Sequence, residues 1–291
     1  MIWRTRGHGQ QNVKRGSIDL TSEAVIMGIL NVTPDSFSDG GDSYSIELAI
    51  QRASEIRSEG AKIIDIGGES TRPGADPVSA DEEMKRVVPV IEALRNLAEF
   101  DDVWISVDTT KSAVAEAAIQ AGADIVNDVS GCTSDPEMVA LCAREGVGVV
   151  VMHMQGTPET MQNNPSYEDV RREVQSYFSE RFDVLTSVGV DEECICFDPG
   201  IGFGKTDAHN LQLLKSIDMM TVYSRPVLLG VSRKSLFGRL LEINEPKDRD
   251  AATVAITALA RQNGCMLHRV HDVKGNLDAV KMVECLKAIS R

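Results

Sequence analysis

The chain has 291 residues, of which 42% are hydrophobic, and its formal net charge at pH 7 is -14. This length allows one large domain or two small ones with a substantial core, and the negative charge argues against nucleic acid as a partner. The basic N-terminal segment lacks the apolar run of a secretory signal, and no apolar run is long enough to span a bilayer, so we expect no membrane attachment and a cytoplasmic location.

After a lead-in at residues 1–23, which is irregular or a small hairpin, short apolar runs alternate with longer helical segments. The apolar runs are typical of strands buried on both faces. The predicted strands lie at 24–31, 62–68, 103–108, 123–128, 147–154, 194–198, 226–232 and 265–272. Several of the segments between them stop at a glycine, as helices often do. The predicted helices lie at 45–59, 81–99, 111–121, 136–145, 167–188, 207–217, 248–262 and 276–289.

Eight strand-then-helix units follow one another with nothing inserted between them, which indicates parallel strands. Eight units in a chain slightly longer than the usual ~250 residues favour a closed (β/α)8 TIM barrel. We therefore predict an α/β fold with one domain at 24–291. The alternative is a doubly wound open sheet, but the glycine-rich phosphate fingerprint of that class is missing after the first strand.

Polar residues stand at the predicted carboxyl ends of nearly all the strands, where a barrel carries its chemistry. They are Asn31, residues 69–72, Asp108, Asn127, Asp128, His153, Asp198, residues 232–234, Arg269 and His271. A barrel mouth is partly buried, so each of these groups needs a partner. A nearly complete ring of carboxylates, amides and cations therefore predicts a binding or catalytic site rather than ordinary strand-to-loop positions.

Four of these side chains suit a flat heterocycle with a 2-amino-4-oxo edge. A carboxylate of Asp108 or Asp198 can accept two adjacent N–H donors as a pair. The Asn127 amide can donate and accept along another edge, and Lys234 can donate to a ring carbonyl. The set favours a guanine- or pterin-like ring over a sugar or a simple acid.

A second group of side chains suits phosphate or pyrophosphate. Arg269 and His271 are two residues apart in the last predicted strand and share a face. In a closed barrel Asn31 of the first strand is next to them, so together they predict a local cationic site. His268 and His271 are three apart and point to opposite faces, which argues against a zinc pair.

A glycine-rich segment, DPGIGFGKT, follows the sixth predicted strand. Its end resembles a phosphate-binding loop, but Pro199 stands where the first glycine of that motif must be. We interpret the glycines as a tight turn that lets Phe203 or the backbone approach a flat ligand.

Seven segments follow one another along the chain: IMGILNVTPDSFSDGG, DIGGESTRPGA, SVDTTK, IVNDVSG, DPGIGFGK, GVSRKS and RVHDV. In this order they resemble the signatures of bacterial dihydropteroate synthases. The resemblance runs from about residue 24 to the C-terminus. It implies a (β/α)8 transferase that joins 6-hydroxymethyl-7,8-dihydropterin diphosphate to p-aminobenzoate and releases 7,8-dihydropteroate and pyrophosphate, a step in folate synthesis. It also implies a homodimer formed through outer helices.

The same resemblance implies which residues bind the first substrate. The residues that would bind the pterin are Asp108, Asn127, Asp198 and Lys234, and Phe203 and Val270 are also predicted to bind substrate. The residues that would bind the diphosphate are Thr71, Arg269 and His271. Asn31 would be a ligand of Mg²⁺, the implied cofactor, bound together with the diphosphate.

The second substrate would lie under two polar loops at 33–41 and 70–75. The resemblance implies that Phe37 and Pro73 wall the p-aminobenzoate pocket, with Ser232 near the carboxylate. Asp35 and Arg72 would cover the reacting centre when the loops close. The residues with an implied catalytic role are Asp35, Arg72, Lys234, Arg269 and His271.

Three other functions remain open at this point. The first is the pterin-binding domain of a cobalamin-dependent methyltransferase, which does not need both polar loops. The second is an inactive pterin-binding module, which is expected to have lost a ligand or loop residue. The third is an unrelated barrel enzyme with a phosphorylated substrate.

Overall fold

The computed structural model describes residues 1–6, 16–33, 42–70, 76–157 and 160–289. The strands are β1 Ile2–Arg4, β2 Ser17–Asp19, β3 Val25–Asn31, β4 Ile63–Gly67, β5 Trp104–Asp108, β6 Ile125–Asp128, β7 Gly148–Met152, β8 Ile195–Asp198, β9 Leu228–Leu229 and β10 Leu267–Val270. The helices are α1 Asp42–Ser58, α2 Ala80–Arg95, α3 Ser112–Ala121, α4 Met138–Glu145, α5 Val170–Val188, α6 Asp207–Lys215, α7 Ser235–Leu241, α8 Asp250–Gln262 and α9 Val273–Ile289. None of the helices in these ranges has the length and apolar character that a membrane span requires.

Strands β3 to β10 form one parallel sheet in the order β8-β7-β6-β5-β4-β3-β10-β9. The two ends of this sheet meet, because Phe197 of β8 bridges to Val227 and its backbone N–H donates to the carbonyl of Pro226 (2.9 Å). The helices follow the strands in alternation, which confirms the predicted (β/α)8 barrel.

The barrel strands are buried on both faces, and side chains alternate between the barrel interior and the layer under the helices. In β4, for example, Ile64 and Ile66 belong to the helix-facing core, whereas Ile63 belongs to the interior. Asp65, between Ile64 and Ile66, therefore points inward. This alternation decides which residues near a strand end reach the mouth of the barrel.

The first two strands form an antiparallel pair that packs against the interior core. Trp3 is wholly buried, and its indole N–H donates to the carbonyl of Cys194 (2.7 Å) just before β8. Ile18 and Leu20 are buried in the same hydrophobic cluster as Val25 at the start of β3. The pair therefore closes the end of the barrel opposite the mouth.

The last part of the chain differs from the predicted elements. The strand expected at 226–232 is reduced to β9, two residues long, and the short helix α7 follows it without having been predicted. Arg233 has a left-handed backbone (φ 57°) and ends the extended segment, and Lys234 is the N-cap residue of α7. The polar segment GVSRKS thus forms a turn and a helix start instead of continuing the strand.

Candidate active site

A network of four inward-facing side chains lies at the mouth of the barrel. Asp65 is wholly buried, and its Oδ2 accepts hydrogen bonds from Arg269 Nε (2.6 Å) and Asn127 Nδ2 (3.1 Å). Arg269 also donates from Nη2 to Asp108 Oδ2 (2.6 Å). Asp108 is paired in register with Asn127 of the next strand. Four strands therefore bring these polar groups to one place.

One guanidinium serves two carboxylates in this network. Burial raises the pKa of Asp108 to about 7, although the charge of Arg269 acts in the opposite direction. Burial also disfavours the charged form of Arg269, but Asp65 and Asp108 outweigh it and raise the pKa of the guanidinium. The two carboxylates occupy two of the five N–H donors of Arg269, so its remaining donors are left for a further ligand at the mouth.

The other side of the mouth carries a flat surface. Asp198 ends β8, and its Oδ1 accepts a hydrogen bond from the Gly200 N–H (2.7 Å). Burial raises the pKa of Asp198, while the Gly200 bond and the charge of Lys234 lower it. The Lys234 ammonium lies 4.0 Å from the centroid of the Phe203 ring, a cation–π contact. A carboxylate, a lysine and an aromatic ring therefore border the same space.

The third part of the mouth joins the end of β10 to the segment after β9. Ser232 Oγ lies 2.9 Å from His271 Nδ1 and accepts a hydrogen bond from the His271 backbone N–H (3.1 Å). A Cβ on Gly67 would lie 3.9 Å from Asn31 Oδ1 and 3.5 Å from Asp108 Cβ, so Asn31 and Asp108 flank this glycine. The amide oxygen of Asn31 is therefore at the mouth.

The fit of a metal ion can be judged from these ligands. Across the described part of the chain, no group of three or more His, Cys, Asp or Glu side chains is placed to hold a metal ion. Asn31 would contribute a single oxygen. This matches Mg²⁺, which commonly takes one or two protein oxygens and completes its shell with substrate phosphates and water.

Two residues from the predicted set face away from the mouth. The Val270 side chain is wholly buried in the helix-facing core, so only its backbone is left to serve the predicted substrate site. His153 also leaves the mouth, because its Nδ1 lies 2.9 Å from the buried Lys205 ammonium. The period of two along β10 explains the position of Val270, which follows the inward-facing Arg269. Five further residues of the set lie outside the described residues: Asp35, Phe37, Thr71, Arg72 and Pro73.

Two residues that the structure brings to the site were missed. Asp65 was overlooked inside an apolar strand, although a carboxylate in the run KIIDIGG was a signal, because it must find a partner when buried. Lys205 was considered only as part of a failed phosphate-loop motif. Its role depends on contacts between two loops that sequence spacing does not reveal.

The comparisons with known proteins agree on one family. The family described as pterin binding enzyme matches residues 27–271. The dihydropteroate synthase of Escherichia coli is 45% identical over 268 residues, which cover 92% of this chain and 93% of that protein. The Yersinia pestis dihydropteroate synthase, solved with a sulfonamide drug complex, has a TM-score of 0.88 at 42% identity. The match covers 99% of this chain and 100% of the Yersinia chain. The Xanthomonas albilineans dihydropteroate synthase with 4-aminobenzoic acid has a TM-score of 0.87 at 39% identity. That match covers 98% of this chain and 99% of the Xanthomonas chain. This chain therefore belongs to the pterin-binding enzyme family, among its dihydropteroate synthases.

Proposed function

We propose that this chain is a transferase that joins 6-hydroxymethyl-7,8-dihydropterin diphosphate to p-aminobenzoate, and that it releases 7,8-dihydropteroate and pyrophosphate in folate synthesis. The observation that carries the proposal is the set of acceptors and donors at the barrel mouth: Asp108, Asn127, Asp198 and Lys234. A 2-amino-4-oxo ring offers paired N–H donors to a carboxylate and a carbonyl to a lysine. The Phe203 ring adds a flat apolar surface for the heterocycle.

The carboxylates also suit the proposed bond cleavage. The scissile C–O bond joins the diphosphate to a methylene on an electron-rich dihydropterin, which spreads positive charge as the bond breaks. Asp108 is held by Arg269 and Asp198 by the Gly200 N–H, so neither must reorganise during the reaction. Fixed negative charge beside the ring would stabilise the developing cation.

The diphosphate is assigned to Thr71, Arg269 and His271. The bonds from Arg269 to Asp65 and Asp108 use two of its five N–H donors, so a diphosphate oxygen can be bound in addition. Asn31 is the proposed protein ligand of Mg²⁺, which when bound with the diphosphate would neutralise charge on the departing pyrophosphate.

The p-aminobenzoate is assigned to the space beside Ser232. Its arylamine is a neutral nucleophile that needs positioning more than deprotonation, so we assign no general base. Phe37 and Pro73 are proposed to wall the pocket, and Asp35 and Arg72 to cover the reacting centre.

The proposal extends to assembly and location. We propose a homodimer through the neighbouring helices α8 and α9, which present Leu259 and Met282 more than half exposed. The six cysteines are free thiols and five of them are buried. Free thiols are typical of a reducing compartment, which supports a cytoplasmic location.

The experiment that tests the function measures pyrophosphate release with Mg²⁺ and the dihydropterin diphosphate, with and without p-aminobenzoate. We expect release that depends on p-aminobenzoate and yields dihydropteroate. Asp198→Asn should lose most of this activity because its carboxylate is the proposed acceptor for the N–H donors of the ring. Asp191→Asn is the matched control, since Asp191 pairs with Arg4 at the opposite end of the barrel.

Other outcomes would contradict the proposal in distinguishable ways. Tight pterin binding without release would favour the pterin domain of a cobalamin-dependent methyltransferase or an inactive pterin-binding module. Binding of phosphorylated compounds without pterin binding would favour an unrelated barrel enzyme.

A further inference from the structure

The segment between β8 and α6, residues 199–206, borders the mouth and carries Phe203. Gly200, Gly202 and Gly204 all have left-handed backbones, with φ of 65°, 85° and 59°. A Cβ on Gly200 would collide with the carbonyl oxygen of His153, and a Cβ on Gly204 would lie 2.5 Å from that of Gln155. The segment therefore packs directly on the backbone that follows β7, with no room for side chains between them.

A buried lysine holds this packing together from inside. Lys205 is 1% exposed. The three N–H groups of its ammonium are shared among four acceptors: the carbonyl oxygens of Phe203 (2.9 Å), Gly200 (3.0 Å) and His153 (3.2 Å), and His153 Nδ1 (2.9 Å). Three of these acceptors are backbone carbonyls, and they come from both sides of the contact between the two loops.

The electrostatics assign the direction of the bond to His153. Burial, followed by the charge of Lys205, lowers the pKa of His153 to about 3, so the imidazole is neutral. An ammonium has no lone pair and can only donate. Nδ1 therefore accepts the hydrogen bond from Lys205, and the imidazole proton is on Nε2. Burial also lowers the pKa of Lys205, to about 7, although the nearby charge of Asp198 acts in the opposite direction. Within the described ranges Lys205 forms no ion pair at salt-bridge distance, so carbonyl dipoles and one imidazole solvate it.

Two groups of the mouth depend on the backbone that Lys205 holds. Gly200, whose carbonyl Lys205 binds, donates its N–H to Asp198 Oδ1. Phe203, whose carbonyl Lys205 also binds, places its ring under the Lys234 ammonium. Removal of the Lys205 ammonium would leave three buried carbonyls without this donor and free both groups to move.

We propose that Lys205 is a positioning residue for pterin binding, which fixes Asp198 and Phe203 through the carbonyls of Gly200 and Phe203. This role rests on the proposed function, because the ligand is the pterin. Lys205 does not touch the ligand and takes no part in the chemical step. Its loss should appear in pterin affinity, in the KM for the pterin diphosphate and, through Asp198, in kcat, but not in the KM for p-aminobenzoate.

The test compares Lys205→Met with a matched control, Arg225→Met. Arg225 is also buried and donates to the carbonyls of Glu192 (3.1 Å) and Ile2 (3.1 Å), at the end of the barrel opposite the mouth. The dissociation constant of 6-hydroxymethylpterin is measured by calorimetry, with KM for both substrates, kcat and the midpoint of thermal unfolding.

For Lys205→Met we expect pterin affinity and KM for the pterin diphosphate to worsen by about tenfold, the loss of one or two hydrogen bonds to a charged group. The KM for p-aminobenzoate should change by less than about threefold, whereas kcat should fall because Asp198 is no longer held in place. Arg225→Met should lower thermal stability and leave pterin affinity unchanged, which separates positioning from general destabilisation.

Parental pterin affinity in Lys205→Met would overturn the positioning role, whatever happens to its stability. If that variant does not fold, Lys205→Gln is measured instead. Its shorter amide cannot reach all four acceptors, so parental affinity there would overturn the role equally. If the unmodified protein binds no pterin, both the proposed function and the positioning role of Lys205 are overturned. If the unmodified protein binds pterin and the variant binds it equally well, only the positioning role is overturned.

Discussion

At the scale of residues, one buried carboxylate at the mouth supports the side chains around it. Asp65 is wholly buried and holds Arg269 and Asn127, while Arg269 holds Asp108. Asp65 therefore acts on the position of its neighbours rather than on a ligand. Such supporting groups keep recognition residues in place before a ligand arrives, which lowers the entropic cost of binding.

At this scale we predict that pterin binding strengthens as pH rises through neutrality. Burial raises the pKa of Asp108 to about 7, so its carboxyl is mostly protonated below that pH and mostly ionised above it. Only the ionised form accepts two N–H donors. The pterin dissociation constant measured by calorimetry should therefore fall between about pH 6 and about pH 8.

The variant Asp108→Asn should bind more weakly and lose this pH dependence. Asp128 is the control, because burial raises its pKa to about 6 but its carboxylate accepts from Ser130 on the helix-facing side. Asp128→Asn should keep the parental pH profile. A dissociation constant that is constant over the range would refute the assignment of Asp108.

At the scale of strands and helices, one glycine allows close packing around β3. Gly28 lies in the middle of β3 and points toward the helix layer. A Cβ at this position would collide with Ile56 Cγ2 of α1 and lie 3.1 Å from Val273 Cγ2 of α9. Both helices therefore approach the first barrel strand because it has no side chain there.

We predict that Gly28→Ala destabilises the protein by about 1–3 kcal/mol, the usual cost of overpacking a core. Urea unfolding monitored by circular dichroism measures the change. Ile56→Ala removes the colliding atom, so Gly28→Ala should cost less in that background than in the parent. Equal costs in the two backgrounds would show that the packing between β3 and α1 is not the cause.

At the scale of the whole molecule, the outer surface of α8 and α9 is more apolar than a solvent-facing surface needs to be. Of the apolar residues on these helices, Val280 and Val283 are buried in the core. The more than half exposed side chains are Leu259, Met282, Leu286 and Ile289. Large apolar side chains exposed on neighbouring helices are typical of an interface between subunits.

We expect the protein to be a dimer, and Leu259→Lys to shift it toward the monomer by placing a charge in the interface. Sedimentation velocity over a range of protein concentrations measures this shift. Leu211→Lys on α6 is the matched control, since Leu211 is also exposed but lies on a helix outside the proposed interface. A parent protein that stays monomeric, or equal effects of both variants, would exclude this interface.

The sequence alone was sufficient for the architecture and for the side chains most directly suited to a pterin. Alternating apolar runs and helices predicted parallel strands, and the carboxyl ends of parallel strands share one edge. Asp108, Asn127 and Asp198 were predicted together for this reason, and the structure brings them to one mouth.

Only the tertiary structure decided which way each of the other side chains faces and what supports the site. A strand buried on both faces carries apolar residues on both sides, so alternation in its sequence does not reveal that Asp65 points inward and Val270 outward. The contact of Lys205 with His153 joins loops 52 residues apart, a distance over which local patterns carry no information. The side chains suited to the ligand could be predicted from the order of the strands. The side chains that hold them in place, Asp65 and Lys205, depend on strand register and on contacts between loops.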